Sequence, residues 1–406
     1  MAVCGRASTK RKFSLPEVLS HEYQLLLTCA RRSLNQQDHA TAQSLIAAGI
    51  DWKLLCRHAE KHGLLPLLFR YLQEAFPDAI PNLEEHKQRF FEDTVQKLLW
   101  THLLLQVLQA LEAAGVRALA YKGPVLAVAL YGDVALREMS DLDILVGPGS
   151  LAPAREVLLS LGYRPHLQHS RKQEEARLRS DCECEFSSAD GKMMLDLHWQ
   201  ITERHLAPRF NFEDLWDRRH MISLGNQSVP TFSAEDSTLL LAVHGGKHLW
   251  QRLSWLADFA ESQRPGLNWD TLRQRAQNAH AERLLRLGLV LANRIFSVPL
   301  RSEFKASVEH DSTVQGIAAK VATTLFEDRN DFGSDRARWL MTVRLADTRW
   351  EGLRCGARFA LTSGPREWQS IRLPDSLFGI YSFLRLARVL RAAPSLVIPR
   401  RILGRS

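Results

Sequence analysis

The sequence has no uninterrupted apolar stretch of the ~18 residues that a bilayer-crossing helix needs. Its best runs, Leu239–Val243 and Leu287–Ala292, stop within a handful of positions, so no membrane span is expected. Arg6, Lys10, Arg11 and Lys12 are followed by no apolar segment, and a secretory signal is not expected either. Cysteine is scarce: Cys4, Cys29, Cys56, Cys182, Cys184 and Cys355 form no CxxC pair and no regular framework. They read as thiols of a reducing compartment, which points to the cytoplasm. Cys182 and Cys184 share a strand face. No second ligand pair at zinc-like spacing accompanies them, so strand packing explains them better than a metal. Internal repeats and low-complexity tracts are absent as well.

What is present is the composition of a globular protein: 406 residues, 45% apolar and 24% charged, enough for two or three domains. The net charge of +8 biases the chain towards anions such as nucleotides, nucleic acid or a lipid surface. Helical periodicity runs through residues 15–75, and a long helix is expected from about Leu83 to Ala114. Its stripe Leu98, Leu99, Leu103, Leu104, Val107, Leu108 and Leu111 should face the core.

The texture then changes. Val116–Tyr121 suits a strand, and Pro124–Tyr131 a helix with Gly132 just past its end. Asp141–Val146 suits a strand and Leu151–Leu161 a helix; Cys182–Phe186 and Met193–Ile201 suit a hairpin around Ala189-Asp190-Gly191. Residues 116–201 thus form a βαβαββ unit. Helical periodicity returns from Ala234, and Thr362–Ser376 reads as a linker.

The chemistry is concentrated in Tyr121-Lys122-Gly123-Pro124, Arg137 and Ser140-Asp141-Leu142-Asp143-Ile144-Leu145-Val146. Carboxylates at i and i+2 on a strand project from one face, while Leu142, Ile144 and Val146 face the other way. Their repulsion requires compensation, for which a divalent cation with oxygen ligands is the economical answer. In Met194-Leu195-Asp196-Leu197-His198-Trp199, Asp196 and His198 share a face opposite Leu195, Leu197 and Trp199. Asp141, Asp143 and Asp196 are therefore candidates for a shared two-metal site, one able to activate a hydroxyl and steady a departing pyrophosphate. Upstream, Gly123 lets backbone approach a phosphate at a helix N-terminus, and Lys122 and Arg137 add full charges.

This order of motifs, with His244-Gly245-Gly246-Lys247-His248-Leu249-Trp250 downstream, resembles the uncharacterised nucleotidyltransferase family of the polymerase-β-like superfamily, over most of residues 40–260. The resemblance implies Mg²⁺ (or Mn²⁺) and an NTP, with Asp141 and Asp143 as the metal-binding pair, Asp196 as the third acid and Gly123 at the triphosphate. Pro124 departs from the superfamily's Gly or Ser and shifts part of the phosphate grip to Lys122. The expected architecture is α+β, a small mixed β-sheet nucleotidyltransferase core at 116–205. It is flanked by an N-terminal helical region (1–115), a helical domain (206–362) and a linker with a basic tail (363–406).

The expected function is transfer of a nucleoside monophosphate from an NTP to an acceptor, whether small molecule, RNA or protein. The metal ligands are Asp141, Asp143 and Asp196; the nucleotide contacts are Lys122, Gly123, Arg137, Ser140, His244 and Lys247. Blander readings stand beside these: solvated strand-end acids, an ion-paired Asp196, a Lys122 at a surface strand end, a packed His198, and a His244–Lys247 helix that only packs. Gly245 and Gly246 point to close approach of backbone or ligand. The alternatives at the level of function are a non-catalytic nucleotide-binding regulatory module and a helical nucleic-acid-binding scaffold. The last 30 positions hold Arg385, Arg388, Arg391, Arg400, Arg401 and Arg405 and no acid, and the first three of these interleave with apolar residues as a basic amphipathic helix. Such a helix meets an anionic membrane or nucleic acid peripherally, or packs its apolar side.

Overall fold

A computed structural model describes residues 19–167, 170–327 and 335–391. Helices dominate it, with a five-stranded mixed sheet in the middle and helices on both sides, the α+β arrangement expected. The strands are β1 (Ala118–Ala120), β2 (Asp141–Val146), β3 (Arg164–Pro165), β4 (Glu183–Ser187) and β5 (Met194–His198). They lie in the order β1-β2-β5-β4-β3; β2 and β5 are parallel and the other neighbours antiparallel.

Alternation decides which face each strand buries. Leu142, Ile144, Val146, Leu195, Leu197 and Trp199 point into one core with Leu104, Val107, Leu108 and Leu111 of the long helix Leu83–Ala113. On the other face, Leu119, Tyr121 and Leu145 pack against Phe232 and Leu240. Leu240 belongs to the helix Ala234–Lys247, whose Leu239, Ala242 and Val243 join the large helical core. That helix therefore lies over the acidic face of the sheet. Gly132 closes the helix Gly123–Tyr131 in the left-handed region at φ 82°, as its position in the sequence predicts.

Several expectations are corrected. The βαβαββ order gains β3 and a helix, Arg171–Ser180, between the expected helix and hairpin. The helical stretch after 206 contains a second hairpin, β6 (His220–Leu224) and β7 (Gln227–Thr231), turned at Gly225-Asn226. Leu98 and Leu99 are exposed, because the sheet covers only the C-terminal half of the long helix. Lys97 is buried instead, with Nζ 2.5 Å from Asp93 and donating to the Ala135 carbonyl at 2.9 Å. The expected linker holds a helix, Pro365–Ser370, with Glu367 and Trp368 buried.

The tail helix Ile380–Arg391 packs back on the chain, with Tyr381 buried. Arg388 pairs with Glu367 at 2.6 Å, and Arg385 lies 4.4 Å over the Phe359 ring. Arg400, Arg401 and Arg405 lie outside the described residues. No described helix is long and apolar enough to cross a membrane.

Gly245 and Gly246 are explained by packing. A Cβ on Gly245 would lie 2.5 Å from the Trp250 indole, and one on Gly246 would collide with Leu284. Gly245→Ala should cost about 1–3 kcal/mol of stability, against less than about 0.5 kcal/mol for Gly149→Ala, which meets open space. Urea unfolding of the two variants checks this; equal midpoints would refute it.

Candidate active site

β1 hands over to the helix Gly123–Tyr131 through Lys122, and this junction sets the site. Gly123 has φ +51°, and a Cβ there would sit 3.4 Å from the Asp141 carbonyl oxygen. The turn thus presses on β2, where only glycine takes this backbone without strain. Pro124 occupies the first turn, where its missing N–H leaves no helical bond unmade.

The parallel register sets Asp143 of β2 directly opposite Asp196 of β5, with Asp141 two residues away on the same strand face. Asp143 is 3% exposed. Its Oδ1 accepts from Lys122 Nζ at 2.7 Å and lies 3.1 Å from His198 Nε2; its Oδ2 is buried without a hydrogen-bond partner. Oxygens of Asp143 and Asp196 and a nitrogen of His198 lie within 4.8 Å of one another. An unpartnered buried carboxylate oxygen beside a second carboxylate fits a hard divalent cation. Asp141 stands outside that trio and lines the same cavity.

Opposed pKa shifts express the crowding. Burial raises the Asp143 carboxyl, but Lys122 and His198 outweigh it and hold the group well below the usual range. Asp196 has no hydrogen-bonded cation among the described residues, and the pull of Lys122 is too weak to offset its surroundings. Its own burial, then Asp143, Glu183 and Asp141, push it up to about 8. Burial and Asp143 raise Asp141 as well. On Lys122, burial opposes the ammonium, yet Asp143 leaves its pKa raised.

A cavity of about 570 Å³ opens over this face, with Lys122, Ser140, Asp141 and Asp196 among its walls. Arg137, His244 and Lys247 also line it, each held by other groups. Arg137 Nε donates to Asp258 Oδ2 at 2.9 Å, and the Tyr131 hydroxyl donates to Asp258 Oδ1 at 2.8 Å. Lys247 pairs with Glu203 at 2.9 Å. His244 sits in a ring cluster, 4.6 Å from His248 and 5.2 Å from Trp255 between centroids, and burial pushes its pKa well down.

Sequence reasoning missed Glu183. It lies across from His198 on β4, with Oε2 3.2 Å from His198 Nδ1, so the imidazole spans two carboxylates. The alternation Glu183-Cys184-Glu185 on the expected hairpin carried that signal, since antiparallel pairing sets these acids beside His198 and Asp196.

The raised Asp196 carboxyl has a sign that can be tested. In the unfolded chain it ionises near the ordinary value of 3.8, in the fold only near 8, so stability is lost as pH rises between the two. With a chelator present, Asp196→Asn should therefore gain on the wild type between pH 5 and pH 8, by up to about 4 kcal/mol. Urea unfolding at both pH values reads it, and a pH-independent difference would sink the argument.

No curated protein matches the chain. A family model described as an uncharacterised nucleotidyltransferase matches residues 48–297, more than half of the chain and all five strands of the sheet. The chain belongs to this nucleotidyltransferase family.

Proposed function

We propose that the protein moves a nucleoside monophosphate from an NTP to an acceptor hydroxyl. The observation that carries this is the buried, partnerless Asp143 Oδ2 opposite Asp196, beside a glycine turn at a helix N-terminus. Asp143 and Asp196, with Asp141 at the cavity edge, would hold Mg²⁺ or Mn²⁺. That ion would supply Lewis acidity at the α-phosphate and neutralise charge on the departing pyrophosphate.

The chain's own groups do the rest. His198, between Asp143 and Glu183, fixes the Asp143 carboxylate through Oδ1 and leaves Oδ2 unpartnered. Lys122 stands in as the counter-charge of Asp143, within reach of a phosphate at the Gly123 turn. Ser140 and Arg137 lie along the triphosphate side, with Arg137 oriented by Asp258. His244 and Lys247 close the cavity from the overlying helix.

Incubation with each α-labelled NTP, Mg²⁺ and a cell extract should label an acceptor. Asp143→Asn should lower that transfer by about 10²–10³-fold with the fold intact by circular dichroism. Equal transfer by both proteins would refute the assignment. NTP binding in a titration without any label transfer would point to a regulatory module. Salt-sensitive RNA binding indifferent to Asp143→Asn would point to a nucleic-acid scaffold.

A further inference from the structure

The two ring nitrogens of His198 are not equally served. Asp143 Oδ1, already the partner of Lys122, is a carboxylate acceptor, so His198 Nε2 carries the hydrogen of the 3.1 Å bond between them. In the neutral ring Nδ1 is then a lone pair. It faces Glu183 Oε2, another acceptor, at 3.2 Å, and makes no hydrogen bond although His198 is 2% exposed. Two buried acceptors in contact call for a positive centre between them.

A third group at that point selects the kind of centre. Cys182 stands one residue before β4, outside its alternation, with its carbonyl accepting from Trp199 N at 3.0 Å and Gln200 N at 3.3 Å. Its buried Sγ lies within 4.8 Å of both the Glu183 carboxylate and a His198 nitrogen. Cys184 takes no part, since its Sγ donates to the Leu197 carbonyl at 3.7 Å. We infer that Cys182, Glu183 and His198 form a Zn²⁺ site, separate from the aspartate face and joined to it through the imidazole.

Distances and charge both fit. Tetrahedral zinc sets a nitrogen and an oxygen ligand about 3.3 Å apart, and a sulfur and an oxygen about 3.6 Å apart. Nδ1 and Oε2 are 3.2 Å apart, and Sγ and Oε2 are 3.5 Å apart. Thiolate and imidazole ligands select zinc over Mg²⁺, which prefers oxygen. Burial pushes the Cys182 thiol's pKa well up, but a coordinating metal deprotonates a thiol outright. Its proton leaves to solvent, and one thiolate with one carboxylate matches the two charges of the ion. Lys122 and Lys247 are already matched by Asp143 and Glu203. Glu183 also lines the cavity over the sheet, which gives the ion a way in and leaves its fourth position to water.

The site acts on the aspartates through His198. With Nδ1 on zinc, Nε2–H stays aimed at Asp143 Oδ1, the carboxylate–imidazole–zinc series in which one bond fixes the ring for the other. Zinc is thus a positioning ion, and Asp143 Oδ2 remains for the aspartate face.

The test uses the full chain stripped of metal, with Zn²⁺ and Co²⁺ as probes. Titration against a chromophoric chelator should show one tightly held Zn²⁺ per chain that millimolar Mg²⁺ does not displace. X-ray absorption at the zinc edge should find one sulfur at about 2.3 Å. This reading needs no substitution. Co²⁺ should give a thiolate charge-transfer band that Cys182→Ser abolishes and Cys184→Ser keeps. Cys182→Ser and Glu183→Gln should each weaken Zn²⁺ binding by about tenfold or more, and Asp196→Asn should leave it unchanged. No stoichiometric uptake overturns the inference and leaves the imidazole protonated between its two carboxylates. A bound ion without sulfur overturns it too, as does binding that survives Cys182→Ser and is lost in Asp196→Asn, which puts the ion among the aspartates. Nucleotidyl transfer, tested by Asp143→Asn, stands or falls separately.

Discussion

Everything in the site follows from setting two carboxylates side by side on adjacent parallel strands. Asp143 and Asp196 share a face because β2 and β5 run the same way in a register that pairs them directly. The opposite face of both strands is fully apolar and packed, so a slip of one residue would turn the acids into that core and take Leu142, Leu195 and Leu197 out of it. The core on one side therefore enforces the electrostatic conflict on the other. Lys122 and His198 neutralise Asp143, and the residual conflict falls on Asp196, which holds its proton towards pH 8.

The same constraint explains why Lys122 and Gly123 are neighbours. A positive φ at Gly123 brings the turn against β2, and the preceding lysine then reaches Asp143. A bulkier residue at 123 would strain the backbone and push Lys122 from its partner. One turn thus serves the phosphate side and the carboxylate side at once.

How much of this was legible follows the range of the interactions. β2 was readable because a period of two with aspartates on one face is a local pattern, and the long helix because 3.6-residue periodicity persists through it. The helix Arg171–Ser180 was not, since its sequence carries no apolar stripe and none of it is buried. The hairpin at 220–231 was announced by Gly225-Asn226 between strand-like runs, a local signal passed over beside the surrounding helices. Partner choice was illegible for a different reason. Arg137 as a phosphate ligand is a natural reading of a lone cation near acids, yet Asp258, which orients it, lies 121 positions away. Lys247 and Glu203, and Arg388 and Glu367, repeat that lesson: a charge names its need, and only the fold names the group that meets it.

The seating of the helix that roofs the cavity rests on two glycines rather than on any charged group. The helix Ala234–Lys247 touches the sheet through Leu240 and carries His244 and Lys247 over the aspartates. Trp250, in the turn that follows this helix, folds back against Gly245, and Leu284 of the helix Glu282–Phe296 packs against Gly246. Side chains at those positions would collide with Trp250 and Leu284 and disturb the seating of the helix that carries His244 and Lys247. Helix propensity is sacrificed there, at roughly 1 kcal/mol for each glycine, and the return is a fixed roof over a face that charge repulsion alone would leave open to water.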